Sequence, residues 1–255
     1  MKVALIQFDT VWENVQENLK TVNSLINGLE KDVDLAVLPE MFTTGFTMNP
    51  EAVADNSVLT LQNIQNLAVG NNLAIVGSWV TKESNSFYNR LYFVFPDGSY
   101  ETYDKRHLFT LAGEDKIYQP GVEKLIVHYK GWKICPLVCY DLRFPVYSRI
   151  VNHNFDLLLY VASWPDRRIF AWDSLLKARA IENMSYVVAV NRVGEDVTEV
   201  AYSGHSQVVS YMGAYLQEPY TTDEVKIVVL NKEELIKARS KFAFLNDADD
   251  FTLLK

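Results

Sequence analysis

Cysteine is almost missing from this chain, and its only two, Cys135 and Cys139, cannot brace a fold. In an extended segment, residues four apart have Cα atoms roughly 13 Å from each other, too far for a disulfide. Histidine is also scarce, with four in the chain, and no Cys/His cluster completes the tetrahedral set of a structural metal site. Neither metal nor other cofactor is expected. Basic residues are in deficit, 24 against 32 acidic, for a net charge of −8. A nucleic acid or anionic membrane needs a basic patch, and none stands out, so the expected partner is a small molecule. No uninterrupted apolar run is long enough to span a bilayer. Residues Met1-Lys2-Val3-Ala4-Leu5-Ile6 pass directly into Gln7 and Asp9, without a basic-then-apolar leader and cleavage site, which makes a cytoplasmic protein the expectation. The 11 glycines and 8 prolines gather into no linker, so one domain is expected over 1–240, followed by a tail at 241–255.

What the chain does have is apolar material. At 49% hydrophobic residues, it can bury a sizeable core without staples. Strand-like runs fall at 3–8, 35–38, 73–78, 91–95, 125–128, 133–138, 157–161, 187–191, 207–210 and 225–230. Helical patterns between several of them indicate an α/β fold. The clearest helix puts Val15, Leu19, Val22, Ile26 and Leu29 on one face, with Asn14 as its cap and Glu17 at the capping-box position. A second helix is expected at 59–69, with Leu61, Ile64, Leu67 and Ala68 inward, a third at 170–183 and a short one at 231–239. Asp97-Gly98 marks a hairpin. Periodicity alone gives a mixed α/β layered fold.

The chemistry concentrates at strand ends. Trp132-Lys133-Ile134-Cys135-Pro136-Leu137-Val138 reads as a buried strand, and Cys139-Tyr140-Asp141-Leu142-Arg143-Phe144-Pro145 as the turn after it. A nucleophile at such a junction is exposed, and the next backbone N–H points at the same spot. The competing reading of Cys139 is a small buried apolar residue; Cys135 is expected to be structural. Leu35-Ala36-Val37-Leu38-Pro39-Glu40-Met41-Phe42 ends another strand with a carboxylate. Tyr103-Asp104-Lys105-Arg106-His107-Leu108 carries a lysine. Taken alone, Glu40 is equally a surface carboxylate or a helix cap, and Lys105 a solvated cation.

Together and in this order, the segments around Glu40, Lys105 and Cys139 resemble the three signature segments of the nitrilase superfamily of carbon–nitrogen hydrolases. The likeness runs from Val3 through Ser203-Gly204-His205-Ser206 to the strand near 225–230. It implies a four-layer αββα sandwich. It also implies Cys139 as nucleophile, Glu40 as proton shuttle, Lys105 with the Tyr140 N–H as oxyanion donors, and Glu114 as a second glutamate orienting the lysine. Thr43-Thr44-Gly45-Phe46, Trp164-Pro165, Ala171-Trp172-Asp173 and 177–183 are most similar to the omega-amidases, which hydrolyse the terminal amide of 2-oxo acids such as 2-oxoglutaramate and 2-oxosuccinamate. A nitrilase, a carbamoylase or another aliphatic amidase is the alternative, and a non-catalytic binding protein on the same fold the alternative of another class. For the substrate carboxylate the candidates are Arg143, Arg167, Arg168 and His107, with an internal salt bridge the role expected first for Arg143. Phe42, Tyr103 and Trp164 are candidates for the pocket wall or for the core. Asp173, Glu182 and Asn183 are expected to pack and cap a helix. In related enzymes the C-terminal segment packs across a dimer partner, so Phe242, Phe244 and Phe251 point to a homodimer or to a tail folded on its own subunit.

Overall fold

The computed structural model describes residues 1–152 and 154–252. In chain order the elements are β1 (Lys2–Gln7), α1 (Val15–Asn27), β2 (Leu35–Val37), α2 (Ser57–Asn71), β3 (Ala74–Glu83), β4 (Ser86–Val94), β5 (Tyr100–Asp104), β6 (Val127–Tyr129), β7 (Trp132–Val138), α3 (Pro145–Ser148), β8 (Leu157–Ala162), α4 (Ile169–Glu182), β9 (Tyr186–Asn191), β10 (Val193–Glu195), β11 (Ala201–Ser203), β12 (Ser206–Val209), β13 (Tyr215–Tyr220), β14 (Glu224–Val229) and α5 (Lys232–Phe242). They build two six-stranded sheets, β14-β1-β2-β3-β4-β5 and β13-β12-β9-β8-β7-β6, and a two-stranded β10-β11 hairpin.

Alternation along β1, β2 and β3 decides the layers. Val3, Leu5, Leu35, Val37, Ala74 and Val76 pack against the second sheet. Their neighbours Ala4, Ile6, Ala36, Leu38 and Ile75 pack against the helical layer of α1 and α2. The central strands β7, β8 and β9 are parallel and, with α4 behind them, buried on both faces. This is why Leu157–Ala162 reads as an unbroken apolar run. Trp172, Leu176 and Ala180 of α4 close the far side, completing the αββα order.

Helix α1 follows its pattern. Val15, Leu19, Val22 and Ile26 are buried, Leu29 is only partly so, and Asn14 Oδ1 accepts the Glu17 N–H at 3.1 Å. Each fully buried aliphatic side chain stabilises by about 1.5–3 kcal/mol. In α2, Leu61 packs only partly and Thr60 takes a buried place instead. Gly98, at φ +82°, turns the β4–β5 hairpin. The strand expected at 125–128 starts later, at Val127, while Leu125 and Ile126 pack without pairing. Strands β10, β11 and β13 were not anticipated. The first two are three residues long, and β13 is a half-exposed edge strand containing Pro219. Helix α5 runs to Phe242, past the start expected for the tail. Leu235 is buried in the core and Arg239 is paired with Asp156.

Candidate active site

Two strand exits face each other across the sheet interface. After β2 the chain passes Pro39 and delivers Glu40, followed by Met41 at φ +44°. The Glu40 N–H reaches Ala162 O at the end of β8 at 3.4 Å, and Ser163 Oγ donates back to Glu40 O at 3.1 Å. After β7, Cys139 sits at φ +43° and begins a single helical turn, Cys139–Arg143. Left-handed backbone at a non-glycine residue is costly and persists only where its surroundings enforce it. Here the enforcing group is the buried Asp141 carboxylate. It accepts Val138 N–H at 3.0 Å, Tyr103 OH at 2.7 Å, His107 N–H at 3.0 Å and His107 Nδ1 at 2.7 Å.

Glu40, Lys105, Glu114 and Cys139 meet beneath this turn. Lys105 Nζ lies 2.8 Å from Glu40 Oε1 and 3.0 and 2.8 Å from the two Glu114 oxygens. The other Glu40 oxygen accepts Ser163 N–H at 2.9 Å, and Glu114 Oε2 accepts Phe109 N–H at 2.5 Å. Asn89 Nδ2 donates to Glu40 Oε1 at 2.8 Å and to Glu114 Oε1 at 3.2 Å. The three charged groups are all but sealed from solvent, at 0–1% exposed.

Burial pulls the Lys105 ammonium toward its neutral form, but Glu114 and then Glu40 more than reverse this and hold it well above the ordinary lysine range. Burial likewise raises Glu114, against the pull of Lys105. The Cys139 thiol is pushed well above its usual value, first by burial and then by the Glu40 charge. It therefore rests as a neutral thiol with a carboxylate ready to receive its proton. Cys135 is fully buried, and burial pushes its thiol up to about 12.

Cys139 opens into a cavity of about 340 Å³, whose wall includes Tyr140, Arg143, Trp164, Arg167, Arg168 and Tyr202. The Arg143 guanidinium stacks over Trp164 at 4.9 Å and that of Arg168 over Phe109 at 5.0 Å. Among the described residues none of the three arginines has an acidic partner, which corrects the expectation of an internal salt bridge for Arg143. Burial, then Arg167 and Arg143, push the Arg168 cation below its usual range. One further acid lines the wall, Asp196, at the β10–β11 turn. It already accepts Thr198 N–H, Thr198 Oγ1, Val200 N–H and Tyr202 OH, at 2.8, 2.7, 3.1 and 2.9 Å.

Three sequence candidates for substrate contact lie elsewhere. Phe42 packs edge-on against Trp79, over Gly77, where a Cβ would come within 2.9 Å of its ring. Tyr103 and His107 are held by Asp141, and the His107 ring stacks on Phe144 at 3.8 Å. Asp173 binds His205 and Gln207. Glu182 pairs with Arg179, and Asn183 ties Ile150 to Ser148 and Arg179. Sequence reading missed Asn89, Asp141, Ser163 and the β10–β11 hairpin. An asparagine in the middle of the strand 86–94, where its type is disfavoured, is the available signal for Asn89. Among the described residues, no group of His, Cys, Asp and Glu is arranged to hold a metal ion, and no helix is long and apolar enough to cross a membrane.

The carbon-nitrogen hydrolase family profile matches residues 2–240. The omega-amidase YafV of Yersinia enterocolitica is 40% identical over 255 residues, covering 100% of this chain and 99% of that protein. The 2-oxoglutaramate amidase of Bacillus subtilis is 30% identical, covering 96% of each. Among solved structures, XC1258 from Xanthomonas campestris, a CN-hydrolase superfamily protein with an arsenic adduct in its active site, superposes with a TM-score of 0.97 at 38% identity, over 99% of this chain and 98% of that one.

Proposed function

The chain belongs to the carbon–nitrogen hydrolase family, and from that premise we propose that it is an omega-amidase, releasing ammonia from the terminal amide of short 2-oxo acids. The observation that carries this reading is the pairing of a neutral Cys139 thiol and Glu40 with a cavity walled by three arginines that have no acidic partner among the described residues.

In the first half-reaction Glu40 takes the thiol proton as Cys139 Sγ adds to the amide carbonyl. Lys105 and the Tyr140 N–H take the oxyanion. The Nζ protons already face Glu40 Oε1 and both Glu114 oxygens, so the developing charge draws on a proton shared with one of them. Losing such a donor costs about 3 kcal/mol of barrier. Glu40 then protonates the departing ammonia and a thioester remains. In the second half-reaction Glu40 takes a proton from water, the hydroxide adds to the thioester, and the carbonyl collapses to expel Cys139 as the thiol. Amide and water become carboxylic acid and ammonia, and no cofactor enters the balance.

Arg168, with Arg143 beside it, receives the substrate's carboxylate, an anion suited to a guanidinium that has no acid of its own. An α-ammonium in place of the 2-oxo group meets these arginines and finds Asp196 already engaged by four donors, three of them on Oδ1. A buried ammonium without a partner is strongly disfavoured. Ammonia release from 2-oxosuccinamate and 2-oxoglutaramate is expected to exceed that from asparagine and glutamine by about 10²-fold or more. Comparable rates on the amino acids, or faster turnover of a nitrile or carbamoyl compound, would sink the substrate assignment.

We further infer a cytoplasmic homodimer. Two free thiols suit a reducing compartment, and Phe242, Phe244 and Phe251 stay exposed although Leu245 packs on the protomer's own core. Sedimentation as a strict monomer at micromolar concentration, unchanged by truncation after Lys241, would rule the dimer out.

A further inference from the structure

We propose that Asn89 is a positioning residue of this reaction: its side-chain amide locks Glu40 and Glu114 in register and keeps the pair in its ionised, proton-accepting form. The inference rests on the amidase reading for its place in turnover.

Asn89 sits in the middle of β4, is 1% exposed and lies outside the cavity wall, so it acts through the carboxylates. The Oε1 atoms of Glu40 and Glu114 are bridged twice, once by Lys105 Nζ at 2.8 and 3.0 Å and once by Asn89 Nδ2 at 2.8 and 3.2 Å. The two Oε2 atoms are pinned by the backbone N–H groups of Ser163 and Phe109. Two like-charged carboxylates thus converge on one cation and one neutral amide. The cation alone leaves the buried group one negative charge in excess, and the amide is the further donor that touches both acids. The backbone carbonyl of Asn89 also accepts the Lys105 N–H at 3.0 Å, so one residue sets both the lysine's backbone and its counter-charges.

The orientation of the amide carries information of its own. Asn89 Oδ1 is buried and has no hydrogen-bond partner among the described residues. Leaving a buried carbonyl unsatisfied is unfavourable. Turning the amide over would press Oδ1 against two carboxylate oxygens, which is worse while both are ionised. The observed orientation keeps the Nδ2 donor, rather than Oδ1, toward both carboxyl groups.

A hydrogen-bond donor favours the charged form of a carboxylate, so removing it favours the protonated form and moves the acid limb of the pH–rate profile to higher pH. The other titratable groups facing this cluster are Lys105 and Cys139, with Tyr118 near Glu114 and Lys105, and Tyr202 near Glu40. Burial, as the main cause, raises both tyrosines, so neither titrates across the acid limb.

The test compares wild type with Asn89→Leu, which keeps the volume without the donor, and Asn89→Asp, which replaces the donor by a third acid. The readouts are kcat and KM across pH, and the pH dependence of iodoacetamide alkylation at Cys139. Asn89→Leu is expected to lose about 10²-fold in kcat with KM within about threefold. Its acid limb and its alkylation profile should both move up by about one pH unit, and those of Asn89→Asp further. A folded Asn89→Leu with wild-type profiles and kcat within about threefold overturns the proposal. If Asn89→Leu does not fold, the Asn89→Asp alkylation profile decides alone, unmoved against and raised for. Alkylation needs no substrate, so failure of the wild-type enzyme on every 2-oxo acid amide overturns the proposed function and leaves the Asn89 result standing.

Discussion

The floor and the rim of this cavity both gather charge, and they treat it in opposite ways. On the floor Glu40, Lys105 and Glu114 are sealed from solvent, and the side-chain hydrogen bonds that hold them lie between 2.5 and 3.2 Å. On the rim Arg143, Arg167 and Arg168 share a wall with no acidic partner among the described residues, two of them placed over aromatic rings. Matched charge fixes atoms in place, as proton transfer requires. Unmatched charge that is already partly desolvated is what a ligand can complete. The difference separates chemistry from recognition within a single pocket.

The largest effect expected is at the nucleophile, where floor and rim meet. Cys139→Ala should fold and lose at least about 10⁴-fold in turnover, whereas Cys135→Ala should keep its rate within about threefold. Iodoacetamide should label Cys139 alone, because Cys135 is fully buried whereas Cys139 lines the cavity beside Glu40. Labelling of Cys135, with activity loss following it, would erase the site assignment.

A floor substitution comes next and should damage two properties together. Lys105→Met leaves two buried carboxylates without their cation. Breaking a buried pair in this way costs about 3–5 kcal/mol, which for a protein of this size lowers the melting midpoint by roughly 10 °C. Loss of the oxyanion donor should lower kcat by about 10²–10³-fold in whatever folds. Calorimetry and steady-state kinetics on the same preparation check both, and wild-type kcat in the folded fraction would remove Lys105 from the mechanism.

The smallest of the three belongs to the rim. Arg168→Ala should raise KM by about tenfold or more on a 2-oxo acid amide while kcat stays within about threefold, since the lost contact is made equally before and during reaction. Its melting midpoint should not fall by more than about 2 °C, because the guanidinium has no acid to abandon and sits among like charges. A drop as large as that of Lys105→Met would show that the contrast drawn between floor and rim is false.

What the sequence disclosed follows the same division. Glu40, Lys105 and Cys139 each sit in a short contiguous segment whose pattern can be read locally, and the αββα order followed from the likeness those segments carry. The supporting contacts join residues far apart in the chain. Ser163 meets Glu40 across 123 positions and Asn89 meets it across 49. Asp141 was quoted as part of a turn, yet its hold on Tyr103 and His107 turned two expected substrate contacts into framework. The β10–β11 strands are too short for a period-2 signal, so the wall carrying Asp196 and Tyr202 could not be foreseen.

The left-handed backbone at Cys139 has an evolutionary consequence. A conformation with φ +43° is one that glycine adopts freely and cysteine does not. The residue on which turnover depends is thus the residue whose replacement by glycine the local backbone accepts most readily, and the arginine wall needs no change when it happens. A descendant with Gly at 139 would keep its appetite for anionic amides and lose the power to cut them. One substitution at this backbone position is therefore enough to separate binding from cleavage.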